Sequence, residues 1–233
     1  VQRGKKVLLT TTDPAAHLAS TLEGDVPGLE VSVIDPEQAT QEYRDRVMAS
    51  KGAKLEEAGR AALAEDLMSP CTEEIAVFQQ FSRAVNRARE QFVIMDTAPT
   101  GHTLLLMDAT GAYHRDITRH LDDAQRDLVT TPLMRLQDPQ HTKVVVVTLP
   151  ETTPVTEARA LAADLERASI HPWAWVVNNS LAAARPTSPL LATRARSEQQ
   201  QLDQVATSAP RWAVVPTQTA EPIGAKRLTA LGQ

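Results

Sequence analysis

At 233 residues and 42% hydrophobic, the chain can build one large core or two small ones, and nothing in its composition marks disorder. A formal net charge of −5 without a basic run excludes a nucleic-acid surface as its main business, yet leaves room for a small phosphate-bearing ligand held by helix ends and a lysine. Cys71 is the one cysteine, which excludes an internal disulfide or an all-cysteine metal cage and fits a reducing compartment. No apolar stretch approaches the ~20 residues that span a bilayer.

Val1-Gln2-Arg3-Gly4 reads as the end of a helix closed by glycine. This sets the expectation that the chain lacks its first strand and the loop after it. Lys5 to Thr11 reads as a strand and Thr12-Asp13-Pro14-Ala15-Ala16-His17 as the loop that follows. Proline holds Asp13 in an extended or turn conformation. Asp13 is then either a functional carboxylate at a strand end or the cap of the Ala-rich turn. Val31 to Ile34 repeats the pattern, and Asp35-Pro36 reads as a simple helix start. From Glu37 to Met68 the charge-rich pattern is helical, with Gly52 and Gly59 as weak points. Ser69-Pro70-Cys71-Thr72-Glu73-Glu74 restarts helix, with Ser69 as cap, Pro70 at the first position and acids in the first turn. Taken alone, Cys71 reads as a small buried hydrophobe.

Phe92 to Met95 is an apolar run ending in Asp96, followed by a turn of Thr, Pro and Gly. Such a run suits a parallel strand covered on both faces. An acid at its carboxyl end stands where open α/β sheets bind ligands. Thr103 to Met107 reads as a helix leaving that turn, with free backbone N–H groups facing any anion near Asp96. Gly111 to Leu136 is helical and polar, and His114, His120 and His141 lack metal-ligand spacing and read as surface residues. Lys143 to Thr148 is a clear strand, and Thr153-Pro154 opens a helix ending near Ala168. Trp173 to Val177 is the next strand and terminates in Asn178-Asn179, whose amides suit either a purine edge or a turn. Helix over 188–206, a strand over 212–215 and a helix over 225–231 complete the alternation. Strands alternating with helices give an α/β fold with a doubly wound, mostly parallel sheet.

Together these segments are specific. Asp96-Thr97-Ala98-Pro99-Thr100-Gly101-His102-Thr103 resembles the signature of the arsenical pump-driving ATPase (ArsA) family among the deviant-Walker-A P-loop NTPases. The likeness takes in Thr11-Asp13-Pro14-Ala15-Ala16-His17, Ser69 to Glu74, Leu149-Pro150-Glu151-Thr152-Thr153-Pro154, Asn178-Asn179-Ser180-Leu181 and the loop from Pro216 to Gly224. It spans nearly the whole chain and is strongest to the second of the two homologous ATPase halves of bacterial members. The resemblance implies a single ATPase domain over 1–233, incomplete at its N-terminus, with a helical subdomain within about 37–90 and 110–136.

It also implies roles. Asp96 would hold Mg²⁺ through water, and Asp13 would position or activate the attacking water. Asn178 would read the adenine of ATP, with Pro216 and Glu221 in the wall of the base pocket. Cys71 and His102, with Ser69 as a weaker candidate, would bind arsenite or antimonite as the activating ligand, since a thiolate suits such soft centres. The implied partners are a membrane arsenite channel and a first ATPase half or second chain that completes the sites. The implied location is cytoplasmic, at the inner face of the cell membrane.

Two departures accompany the likeness. The family's Gly-Lys-Gly-Gly-Val-Gly-Lys-Thr type of phosphate loop does not occur in these 233 residues, so the expected ATPase activity of this polypeptide alone is poor or nil. One cysteine also cannot supply a multi-thiolate metalloid site. The alternatives are an ATPase that targets tail-anchored membrane proteins and a non-catalytic nucleotide-sensing module. The targeting relatives rely on a Cys-x-x-Cys zinc site and a Met-rich groove, against one cysteine and five methionines here.

Overall fold

In a computed structural model of the protein, residues 1–13, 18–97 and 131–232 are described. The chain divides into two compact units: Val1–Ser20 with Gly24–Leu133, and Thr21–Glu23 with Met134–Gln233. Each carries a three-stranded parallel sheet with helices between its strands, the arrangement of a P-loop NTPase-like α/β fold.

In the first unit, β1 (Val7–Thr11) lies between β2 (Leu29–Val33) and β3 (Phe92–Asp96). Val7, Leu8, Thr10 and Thr11 are buried, as suits a central strand. α1 (Leu18–Leu22) is a short helix after β1, of which Leu18 to Ser20 belong to this unit and Thr21 and Leu22 to the second. α2 (Pro36–Ser50) starts at Asp35, whose Oδ1 accepts from the Gln38 backbone N–H at 3.0 Å, with Pro36 opening the first turn. Asp35 is thus the cap its sequence setting predicts.

The helical stretch expected over 37–68 breaks once. A single 3₁₀ turn, Gly52–Lys54, separates α2 from α3 (Glu57–Asp66), and Gly59 lies inside α3 without ending it. α4 (Pro70–Arg87) packs against α2 and β3 and buries Thr72, Ala76, Phe78, Phe81, Ala84 and Val85. Burial of the two phenylalanines alone contributes about 1.5–3 kcal/mol each.

One expectation is corrected here. Register places Val31, Val33, Phe92 and Ile94 on the face of the sheet shared with Leu9 and Thr11. Phe92 is 62% exposed, Val33 48% and Ile94 45%. Among the described residues, nothing covers this face of the run from Phe92 to Met95. Its unbroken hydrophobicity reports that the strand can be buried, not which neighbours cover it.

The second unit repeats the plan. β4 (Val144–Thr148), β5 (Pro172–Ser180) and β6 (Trp212–Pro216) form a parallel sheet in chain order. α5 (Pro132–Gln137) begins at the boundary between the units, and α6 (Thr152–Arg167) connects β4 to β5. The four-residue α7 (Leu181–Ala184), the long α8 (Pro189–Ser208) and the C-terminal α9 (Ala225–Ala230) follow. The core of this unit is built from Val146, Val155, Leu165, Trp175, Val177, Leu202 and Val205. Among the described residues no helix is long and apolar enough to cross a membrane.

Candidate functional site

β1 and β3 run parallel in register, so the chain leaves both strands at the same edge of the sheet, with Thr11 opposite Asp96. The Thr12 backbone N–H extends the ladder by one bond, donating to the Asp96 carbonyl at 3.0 Å. Beyond that point stand the two acids singled out by the sequence. Asp96 is exposed and Asp13 half-buried. Thr11, 0% exposed, ties them together: its hydroxyl donates to Asp96 Oδ2 at 3.4 Å and accepts from the Asp13 backbone N–H at 3.0 Å. The second bond is a short local turn that fixes the direction in which residue 13 leaves the strand.

The fold therefore brings Asp13 and Asp96 to one edge of one sheet. Their carboxylates and the nearby hydroxyl are hard oxygen donors, the chemistry that suits a hydrated Mg²⁺ held by one or two carboxylates. No cluster of three or more His, Cys, Asp or Glu able to cage a metal occurs among the described residues. An ion here would keep much of its own water.

At the start of α4, Ser69 Oγ accepts from the Cys71 backbone N–H at 3.3 Å, and Pro70 occupies the first helical position. Cys71 is exposed, so the reading of it as a buried hydrophobe does not hold. The capping bond that starts the helix is what carries residue 71 to the surface rather than to the buried stripe, which starts at Thr72. Ser69 and Cys71 thus share one helix start. His102 lies outside the described residues, as does the helix expected over 103–107.

In the second unit, Trp175 to Val177 pairs regularly with Trp212 to Val214, and Ser180 then pairs with Pro216. One more residue is used on β5 than on β6, so the ladder is irregular between Val177 and Ser180. Asn178 and Asn179 occupy this interval, both exposed, and Asn179 adopts φ +59°, a conformation asparagine tolerates better than most residues. The Thr217 backbone N–H donates to the Ser180 carbonyl at 2.9 Å, and Thr217 Oγ1 donates to the Asn179 carbonyl at 3.0 Å. Asn178 and Pro216 are in this way brought to one end of the sheet.

The loop after Pro216 folds back through Glu221, whose carbonyl accepts from the Ile223 backbone N–H at 2.9 Å. It ends at Gly224, where φ is +84° and the N–H donates to the Thr21 carbonyl at 2.8 Å. Beneath the asparagines is Glu198 of α8, 7% exposed. Its carboxylate accepts from Ser180 Oγ at 2.8 Å, the Ala182 N–H at 3.0 Å and the Leu181 N–H at 3.2 Å.

Sequence reasoning missed four residues of these two arrangements. Thr11 carries a local signal, a buried hydroxyl two positions before an acid. Ser180 carries one too, since it precedes a short Leu-Ala-Ala-Ala run and caps it by accepting from the Ala183 N–H at 3.2 Å. Glu198 and Thr217 carry none: each meets its partners only through tertiary packing.

Comparison with known proteins agrees with this picture. The sequence model of the anion-transporting ATPase family matches residues 1–135 and 110–233. An arsenical pump-driving ATPase of Escherichia coli is 56% identical over 230 residues, 98% of this chain and 39% of that protein. A namesake from Acidiphilium multivorum is 56% identical over 229 residues, again 98% of this chain and 39% of its own length. A putative arsenical pump-driving ATPase of Halobacterium salinarum is 30% identical over 247 residues, 97% of this chain and 38% of that protein. The chain thus spans about two fifths of the length of these relatives, and the match takes in both units and both residue constellations described above. By this measure it belongs to the anion-transporting (ArsA-type) ATPase family.

Proposed function

We propose that the protein containing this chain hydrolyses ATP with Mg²⁺ and couples hydrolysis to extrusion of arsenite or antimonite through a membrane channel partner. The observation that carries the reading is the pair of carboxylates, Asp13 and Asp96, held at one sheet edge by the buried Thr11 hydroxyl. Phosphoryl transfer asks little covalent chemistry of a protein; it needs an in-line water and neutralised phosphate oxygens. Asp13 would orient the water, and Asp96 would be the residue that holds the ion. Mg²⁺, when bound, supplies the charge that neutralises the phosphate oxygens.

Asn178 presents donor and acceptor to the base, and Pro216 and Glu221 belong to the wall beside it. Cys71, with His102 and Ser69, contributes to the metalloid site, and further thiolates come from the first ATPase half or a second chain. The phosphate-binding loop, which does not occur in these 233 residues, belongs to the remainder of the protein. The place of action is the cytoplasmic face of the membrane. The names and lengths of the relatives support this reading of the whole protein.

The test uses the full-length protein. Cys71→Ser is expected to remove most of the stimulation of ATP hydrolysis by arsenite, and Asp96→Asn to remove the Mg²⁺-dependent activity itself. Arsenite stimulation equal to the parent's in Cys71→Ser, or Mg²⁺-dependent hydrolysis undiminished in Asp96→Asn, overturns the assignment.

A further inference from the structure

We propose that Glu198 is the positioning residue of the nucleotide-base site: it touches no ligand, but fixes the β5–α7 corner so that Asn178 and Asn179 face outward. The inference rests on the reading of Asn178 as the base contact and deepens it. Trp175 and Val177 point into the core beneath β5, at 2% and 0% exposure. Simple alternation would turn Asn179 inward after Val177. The extra residue in the ladder sends Ser180 inward instead, to 0% exposure. Something must receive it there, and Glu198 does.

Three donors converge on one buried carboxylate, namely the Ser180 hydroxyl and the Leu181 and Ala182 amides. A carboxylate shielded from water is tolerable only when its oxygens are satisfied, and such charge-assisted bonds are the strong ones. The amides are the unpaired N–H groups of the short α7, which a neutral side chain could satisfy only in part. From the opposite side, Thr217 holds the Asn179 carbonyl and the Ser180 carbonyl. The corner is clamped from α8 and from the strand end of β6, while the asparagine amides are left exposed to a ligand. A base edge is discriminated by hydrogen bonds only when the reading group is held still, because a mobile amide reads any edge equally well.

The experiment is equilibrium binding of ATP and GTP to the full-length protein, read by displacement of a fluorescent ATP analogue and requiring no hydrolysis. Glu198→Gln keeps the shape and places an NH₂ donor among donors. It is expected to weaken ATP binding about tenfold, the scale of one lost charge-assisted bond, and GTP binding much less, so that the preference for adenine falls. Hydrogen exchange at the Leu181 and Ala182 amides of the nucleotide-free protein is expected to speed up. Thr217→Val, a milder change on the other side of the corner, keeps the test open if Glu198→Gln does not fold, and is expected to shift the preference in the same direction.

Asn178→Ala separates the two claims. If it abolishes adenine preference while Glu198→Gln (or Thr217→Val, if that variant alone folds) leaves the preference intact, the positioning role is wrong and the base reading stands. If Asn178→Ala leaves the preference unchanged, the base reading fails and the positioning role with it.

Discussion

Replacing Thr11 by valine isolates one hydroxyl at the sheet edge. Valine has nearly the same shape and suits a β-strand, so the packing of this fully buried residue is kept. What is lost is the bond accepted from the Asp13 N–H at 3.0 Å and the longer one donated to Asp96 at 3.4 Å. The first is a part-buried neutral bond worth about 1 kcal/mol net. The second, long and directed at an exposed carboxylate, adds no more than about 0.5 kcal/mol. A total of about 1–1.5 kcal/mol lowers the melting temperature by about 2–6 °C for a protein of this size.

Thr11→Ser is the matched control. It keeps both bonds and loses one buried methyl, about 1 kcal/mol including the small void, so the two variants melt at similar temperatures. Their activities should differ. With Asp13 and Asp96 untied, Thr11→Val in the full-length protein requires more Mg²⁺ for half-maximal ATP hydrolysis and has a lower kcat, whereas Thr11→Ser stays close to the parent. Identical Mg²⁺ titrations for the two variants would refute the role given to the hydroxyl.

Three further outcomes are expected. Gly224→Ala forces a Cβ to 3.0 Å from Glu23 Oε2 at φ +84° and ψ 151°, a conformation almost confined to glycine, and should cost about 1–3 kcal/mol in a denaturant titration; an unchanged midpoint contradicts it. Glu30 is held below its ordinary value of 4.5, chiefly by hydrogen bonds from the Arg87 guanidinium at 2.6 and 2.5 Å. Its contribution to stability is therefore present above pH 4.5 and is lost as the pH falls through its lower folded value. Because both groups are about half exposed, the effect is small and screened by salt; Glu30→Gln should flatten the acid limb of a melting-temperature profile at low ionic strength, and parallel profiles would dismiss it. Finally, exposed Cys71 should react with a thiol reagent in the native protein without denaturant, so that the parent takes up one equivalent more than Cys71→Ser, and an equal uptake by the two until unfolding would show the opposite.

Much of the local architecture was legible because its causes are local. Ser69-Pro70 and Asp35-Pro36 start helices through their own side chains and the fixed φ of proline, and both starts fall where the sequence puts them. Asp13 and Asp96 could be paired in advance because parallel strands must release their acids at the same sheet edge. Thr11 could not be assigned, since its partner is 85 residues away and register decides whether they meet. Glu198 is illegible for a related reason: in a helix rich in charge and glutamine, nothing distinguishes the one acid that packing buries. The exposure of Phe92 and Ile94 was also beyond the sequence, because hydrophobicity records a tendency to be covered and does not name the neighbour that does it.

The irregularity between Val177 and Ser180 also governs how this corner tolerates change in length as opposed to change in chemistry. Exchanging the exposed Asn178 for another residue alters what the corner can recognise and leaves the chain path alone. Deleting one of the two asparagines removes the extra residue: the serine then stands two positions after Val177, as Pro216 stands two after Val214, so plain alternation already turns its hydroxyl inward toward Glu198 and the left-handed turn at Asn179 is no longer needed. In a library of variants, substitutions at 178 and deletion of either asparagine should survive selection for folding, while deletion of Ser180, which takes the hydroxyl away from Glu198, should vanish from it.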